Sequence, residues 1–179
     1  MSETNVFRGL LGPDYENLPR AVRDFHDHKA AHVQGTAFSG GASHALARLL
    51  RRVFGFPAIA DTLAVDIWLA QENGRDVWRR RFGDRRFSSS FHVNADGTLD
   101  EKFGPFRFAF RLRVEGDRMY WDFERWGVMG LGLPKALGPT ISTYETEAAD
   151  GSFEFYSHAD FPLIGRLVHY HGTVRPVKD

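Results

Sequence analysis

Four charged residues occupy positions where the alternation of a strand calls for an apolar side chain. Arg80 falls between Trp78 and Phe82, Glu101 between Leu99 and Phe103, Arg125 two places after Phe123, and Glu145 two places after Thr143. Residues two apart on a strand share a face, so the spacing predicts that all four point toward the interior that their aromatic neighbours fill. Buried charge is costly unless paired. Three chemistries suit such a set: a structural network of Arg–carboxylate pairs, an Arg holding the acidic headgroup of a ligand, or proton transfer by Glu101 or Glu145 against an aromatic wall. Trp78, Phe82, Trp121 and Phe123 supply that wall.

The remaining chemical motifs are weaker. In His169-Tyr170-His171 the two imidazoles share a strand face, but Val168, Tyr170 and Val174 form the better inward set, which turns both histidines to solvent. His26 and His28 lie in a helical stretch, where residues two apart diverge by about 200°, so they do not ligate one ion. No metal site is predicted. Arg79, Arg80 and Arg81, followed by Arg85 and Arg86, resemble a nucleic-acid platform in composition. The strand period splits the run, sending Arg79 and Arg81 outward and Arg80 inward. Ser88, Ser89 and Ser90 lack the Gly-x-Ser-x-Gly elbow of a hydroxyl nucleophile and read as polar strand positions. Gly40-Gly41 leads to Ser43-His44 without the Lys of a phosphate cradle, and no cofactor is predicted.

The helical signal that must position these residues is confined to 14–56. Leu18, Ala21, Val22 and Phe25 follow a helical repeat after Asn17, and a second helix begins near Ser43, burying Leu46, Leu49, Leu50, Val53 and Phe54 with Arg48, Arg51 and Arg52 outside. Between them 30–38 reads as a strand. After Pro57 the period becomes two, predicting strands at 61–72, 75–82, 86–94, 98–103, 105–115 and 117–126, separated by turn residues such as Asn73-Gly74 and Asp96-Gly97. An apolar, Gly-rich and Pro-rich stretch at 127–139, with one helical turn at 135–137, interrupts the pattern as a fixed cap or a portal lid. Strands at 140–149, 151–160 and 165–176 follow. About ten sequential antiparallel strands form a curved sheet or a lipocalin-like barrel, which removes exposed edges. The fold class is mostly β (α+β), one domain over 1–179, with the two N-terminal helices plugging one end or lying in the concavity.

Composition agrees with an enclosed aromatic interior. Sixteen Phe and four Trp among 179 residues make a bulky core, and the formal net charge is zero. That balance gives no overall attraction to nucleic acid or an anionic membrane. The absence of Cys excludes disulfides and thiolate chemistry and fits a cytoplasmic protein. No stretch approaches the roughly 20 apolar residues of a membrane-spanning helix, and 1–11 lacks the pattern of a secretion signal, so the chain reads as soluble and unprocessed.

The order of Trp78-Arg79-Arg80-Arg81-Phe82-Gly83, Glu101 with Gly104-Pro105, Leu133-Pro134 with Leu137 and Pro139, Glu145, Pro162-Leu163-Ile164-Gly165 and Tyr170-His171-Gly172 resembles an uncharacterised bacterial family, a domain of unknown function. That family is also found fused behind NAD-binding domains of the saccharopine-dehydrogenase-like type. The likeness runs over about 18–176. It implies a whole-domain match and carries no catalytic residues with it. The NAD-binding partner is missing here, which implies a chain that acts alone or meets an oxidoreductase in trans.

These readings lead to binding of a hydrophobic small molecule, of lipid, isoprenoid or polyketide type, inside the barrel, with Arg80 or Arg125 engaging its polar end. One alternative is a cofactor-free hydrolase, isomerase or cyclase using Glu101 or Glu145. Another is an accessory domain that docks to an NAD-dependent oxidoreductase.

Overall fold

Each turn of the period-two region reverses the chain, so the strands pair with their sequence neighbours until the sheet meets itself. The computed structural model describes residues 5–29, 31–41, 44–53, 55–162 and 164–177. Among these residues there are eleven strands: β1 (His32–Gly40), β2 (Ala60–Glu72), β3 (Arg75–Phe82), β4 (Arg85–Val93), β5 (Leu99–Phe103), β6 (Phe106–Glu115), β7 (Arg118–Val128), β8 (Leu131–Leu133), β9 (Thr140–Glu147), β10 (Phe153–Phe161) and β11 (Gly165–Pro176). Ten close into an antiparallel barrel in the order β6-β5-β4-β3-β2-β1-β11-β10-β9-β7, with β7 returning to β6. The short β8 adds to β7 outside the ring. The lengths and order follow the sequence period closely, β8 being the strand that the pattern at 127–139 conceals.

Closure depends on turn and contact chemistry at a few places. Asn73 and Gly74 have φ of 52° and 71°, the left-handed pair that makes the tight β2–β3 hairpin. At the β1–β11 seam the backbones approach so closely that a Cβ on Gly172 would lie 2.3 Å from Thr36 O. The seam therefore requires glycine there.

Among the described residues three short α-helices accompany the barrel: α1 (Val6–Leu11), α2 (Arg20–His26) and α3 (Ala45–Val53). The first lies before the helical region predicted at 14–56, because Asn5 caps it through Phe7 N at 2.8 Å. Helices α1 and α2, joined by a 3-10 turn at Gly12–Asn17, plug the end of the barrel where β2 meets β3. There Phe7, Val22 and Phe25 enter the core beside Trp78, Phe91 and Trp121. Helix α3 lies at the opposite end, in the connection between β1 and β2.

Helix α3 departs from its predicted amphipathic face. Leu46 and Leu49 are 44% and 56% exposed, whereas Arg51 is buried. The Arg51 guanidinium donates to Gly40 O and Leu167 O, each at 2.8 Å, and to Ser39 Oγ and Pro57 O. It ties the ends of β1 and β11 to the segment entering β2, a use of Arg that hydrophobic periodicity does not register. The predicted start at Ser43, the Phe54 position and Leu163 lie outside the described residues, as does the Val53 side chain.

Candidate ligand cavity

The inner faces of β3, β5, β6, β7, β9, β10 and β11 enclose a cavity of about 150 Å³, walled by rings that include Trp78, Phe82, Phe110, Trp121, Phe153 and Phe155. Phe123 is partly buried and packs against the same core. Inward alternation, as predicted, places three of the four charged residues in this wall: Arg80, Glu101 and Glu145.

Arg80 and Glu101 come together through a serine. Arg80 Nη1 donates to Ser89 Oγ at 2.7 Å, Ser89 Oγ donates to Glu101 Oε1, and the Arg80 nitrogens lie 3.4 and 3.5 Å from that same oxygen. The guanidinium also lies over the rings of Trp78 and Phe87, at 5.0 and 5.6 Å, as cation–π attraction favours. Ser89 reaches this place because β4 pairs it with Trp78 on β3 and Phe103 on β5. The hydroxyl is thus the bridge, a role that sequence reading of the Ser88–Ser90 triplet missed.

Glu145 makes a separate pair. Its Oε2 lies 2.6 Å from His26 Nε2, and the side chains are 6% and 0% exposed. His26 Nδ1 is buried without a hydrogen-bond partner among the described residues. A proton on Nδ1 would be an unsatisfied buried donor costing roughly 1–3 kcal/mol, so the favoured tautomer carries its proton on Nε2, directed at Glu145. The sequence signal was present only as a histidine on the inner face of α2, one position after Phe25.

Between these pairs stands Tyr170, which points inward as predicted, with His169 and His171 on the outer face. Burial pushes the Tyr170 phenol up; the charge of Arg80 and a hydrogen bond with Ser157 act downward, while Glu101 and Glu145 act upward. Ser157 in turn bonds Thr143 Oγ1 at 2.8 Å. Trp78 and Trp121 also line the space, and their Nε1 atoms are buried and lack hydrogen-bond partners among the described residues.

Arg125 stands elsewhere. It points outward, with Nη1 donating to Asp96 Oδ2 at 2.8 Å and Nη2 to Thr98 Oγ1 at 3.0 Å. A β-bulge is the cause: opposite Ala109 and Phe110 the register of β7 jumps from Arg125 to Phe123. The extra residue, Glu124, stays on the outer face with Arg111 and reverses the facing of Arg125 and the positions after it. Arg125 therefore does not meet a ligand in the cavity.

The stretch at 127–139 is fastened to β7. Lys135 Nζ donates to Phe123 O at 2.8 Å, and Trp126 Nε1 to Pro134 O at 3.1 Å. It fills a gap that arises because β7 pairs with β9 only at Met119 and Tyr120. Among the described residues no cluster of three or more His, Asp or Glu side chains is arranged to hold a metal ion.

Fold and site together define a closed antiparallel β-barrel that encloses an aromatic cavity with internal ion pairs. The profile of a family described as "Domain of unknown function (DUF4166)" matches residues 18–174, and the chain belongs to that family. No curated protein matches. Among solved structures, the chain is similar to a protein of unknown function from the DUF3598 family of Nostoc punctiforme, at 10% identity and a TM-score of 0.48. The match covers 84% of this chain and 48% of that one, so this chain spans about half its length. It is also similar to Rv2717c from M. tuberculosis, at 13% identity and a TM-score of 0.47, covering 90% of this chain and 99% of that one. Both likenesses are too remote to carry a function across.

Proposed function

We propose that the barrel binds a compact hydrophobic small molecule that carries a hydrogen-bond acceptor. The observation that carries this reading is an aromatic cavity lined by Trp78 and Trp121, whose indole Nε1 atoms are buried and unpartnered among the described residues. Unpaired buried donors cost roughly 1–3 kcal/mol each, and an acceptor on the guest removes that cost. The volume sets the size: an apolar cavity of about 150 Å³ holds a single benzene. A guest of about that size fits wholly inside, and an isoprenoid, acyl chain or polyketide fits only by extending toward the α3 end. Arg80 is already engaged by Ser89 and Glu101, so it orients a polar end rather than neutralising a free carboxylate. In this reading the chain works in a bacterial cytoplasm, where the fused relatives that the sequence resemblance implies would place it beside an oxidoreductase.

The test is native mass spectrometry of freshly purified protein, followed by titration with small isoprenoid alcohols and ketones. A co-purified compound, or saturable binding that shifts the indole N–H resonances and weakens in W78F and W121F, supports the reading. Absence of any guest together with indole signals indifferent to every ligand would remove it.

Glu145 gives an enzymatic second reading its one specific support. A carboxylate lining the cavity and hydrogen-bonded to a buried imidazole is equipped for proton transfer without a cofactor. Turnover of a bound guest, abolished in E145Q with guest binding retained, distinguishes this reading from simple carriage.

A further inference from the structure

Antiparallel alternation gathers one set of connections at the end opposite the plug: the α3 segment, the β3–β4, β5–β6 and β10–β11 turns, and the β7–β8 turn with the chain leading to β9. Six of the seven large hydrophobic side chains that are exposed among the described residues lie on these connections: Leu46, Leu49, Ile59, Met129, Leu131 and Leu137. Met129 and Leu131 are 87% and 69% exposed. Cavity-lining residues such as Phe56, Phe103 and Phe161 sit on the same end, so these apolar tips surround the mouth of the cavity.

Charge is distributed with the same polarity. Elsewhere on the barrel the exposed arginines are mostly paired, as in Arg79–Glu72, Arg113–Asp122, Arg125–Asp96 and Arg175–Asp150. At the mouth, Arg52, Arg85, Arg86 and Lys102 are exposed and have no carboxylate within ion-pair distance among the described residues. Exposed carboxylates there are few among the described residues, Asp61 and Asp84, and the half-buried Asp160 is held by Arg166. A chain of zero formal charge thus presents a basic rim with apolar tips at one end.

We propose that this end docks on an anionic lipid bilayer surface. The tips enter the headgroup region, and the unpaired basic side chains meet lipid phosphates and carboxylates. Such side chains on three separate elements, α3, the β3–β4 hairpin and β5, suit a fluid surface, because lipids rearrange to meet scattered charges and need no fixed complementary shape. Each basic residue near such a surface contributes about 1 kcal/mol, or about fivefold in affinity. The proposal goes beyond guest binding and does not require it.

Flotation with phosphatidylcholine vesicles, with and without phosphatidylserine, tests it on the whole chain with no guest added. Binding is expected only to the anionic vesicles, and to fall as salt shortens the screening length from about 10 Å at 0.1 M to about 3 Å at 1 M. R85S/R86S should weaken it by about 25-fold, two fivefold steps, and M129S/L131S should also weaken it. R75S, in the hairpin at the plugged end, should leave it unchanged. Should R85S/R86S alter the thermal melt, R52S/K102S on two other elements carries the same comparison. Equal binding to both vesicle types, binding to neither, or a loss in R75S matching that in R85S/R86S overturns the proposal. Guest binding, measured separately in solution, is unaffected by that failure.

Discussion

His26 Nε2 lies 2.6 Å from Glu145 Oε2, joining the plugging helix α2 to barrel strand β9 across 119 positions of sequence. Neither side chain has appreciable contact with water, so each is the other's main compensation for burial. Removing one partner of such a pair strands the other, at a cost of about 3–5 kcal/mol. H26L should lose stability on that scale in urea denaturation, and H26L/E145L should recover most of it. Simple additivity of the two single losses would show that the pair does not hold the plug.

The Arg80–Ser89–Glu101 arrangement makes a different prediction, because the serine carries the shortest contacts. S89A removes the bridge and leaves a half-buried guanidinium and carboxylate facing one another at 3.4 Å, which should cost about 1–3 kcal/mol. In a double-mutant cycle, the coupling between R80L and E101L should shrink when S89A is also present. R125A breaks a pair whose side chains are 46% and 51% exposed, so it should change stability by under about 1 kcal/mol and leave guest binding unaltered. A larger effect of R125A on binding than of R80L would contradict the placement of these two arginines.

Strand positions were legible in the sequence because one physical rule, alternation between wet and dry faces, governs nearly the whole chain after Pro57. Phe108, Phe110, Leu112 and Val114 pack against the core, Phe106 lines the cavity, and Arg107, Arg111 and Arg113 face outward, as that rule requires. Arg125 shows its limit: a single bulge at Glu124 leaves no mark in composition yet inverts every facing beyond it. His26 and Ser89 show a second limit. Their roles depend on partners that only closure of the barrel brings near, and period gives a residue's facing without naming what it faces. Arg51 shows a third, since a guanidinium that binds carbonyl oxygens occupies an interior place that hydrophobic patterning assigns to solvent.

Acid should loosen the plug before it unfolds the barrel. Asp27, at the end of α2, accepts hydrogen bonds from Asn5 Nδ2 at 2.7 Å and from Tyr15 OH at 3.0 Å, and it pairs with Arg8. It thereby fastens α1 and the 3-10 turn to α2. Burial pushes the Asp27 carboxyl up, but the hydrogen bonds from Asn5 and Tyr15 and the charge of Arg8 outweigh it and hold the group below its ordinary value. A carboxyl depressed in the folded state stabilises fully above its unfolded value, about 3.9, and that contribution disappears as pH falls through the folded value. Below about pH 4, amide protection in α1 should therefore fall while the core of β7 and β10 stays protected. D27N should show weak α1 protection already at neutral pH and a shallower acid dependence. Hydrogen exchange across pH 2–7 measures both, and an α1 profile in D27N that follows the wild type at every pH would exclude Asp27 as the latch.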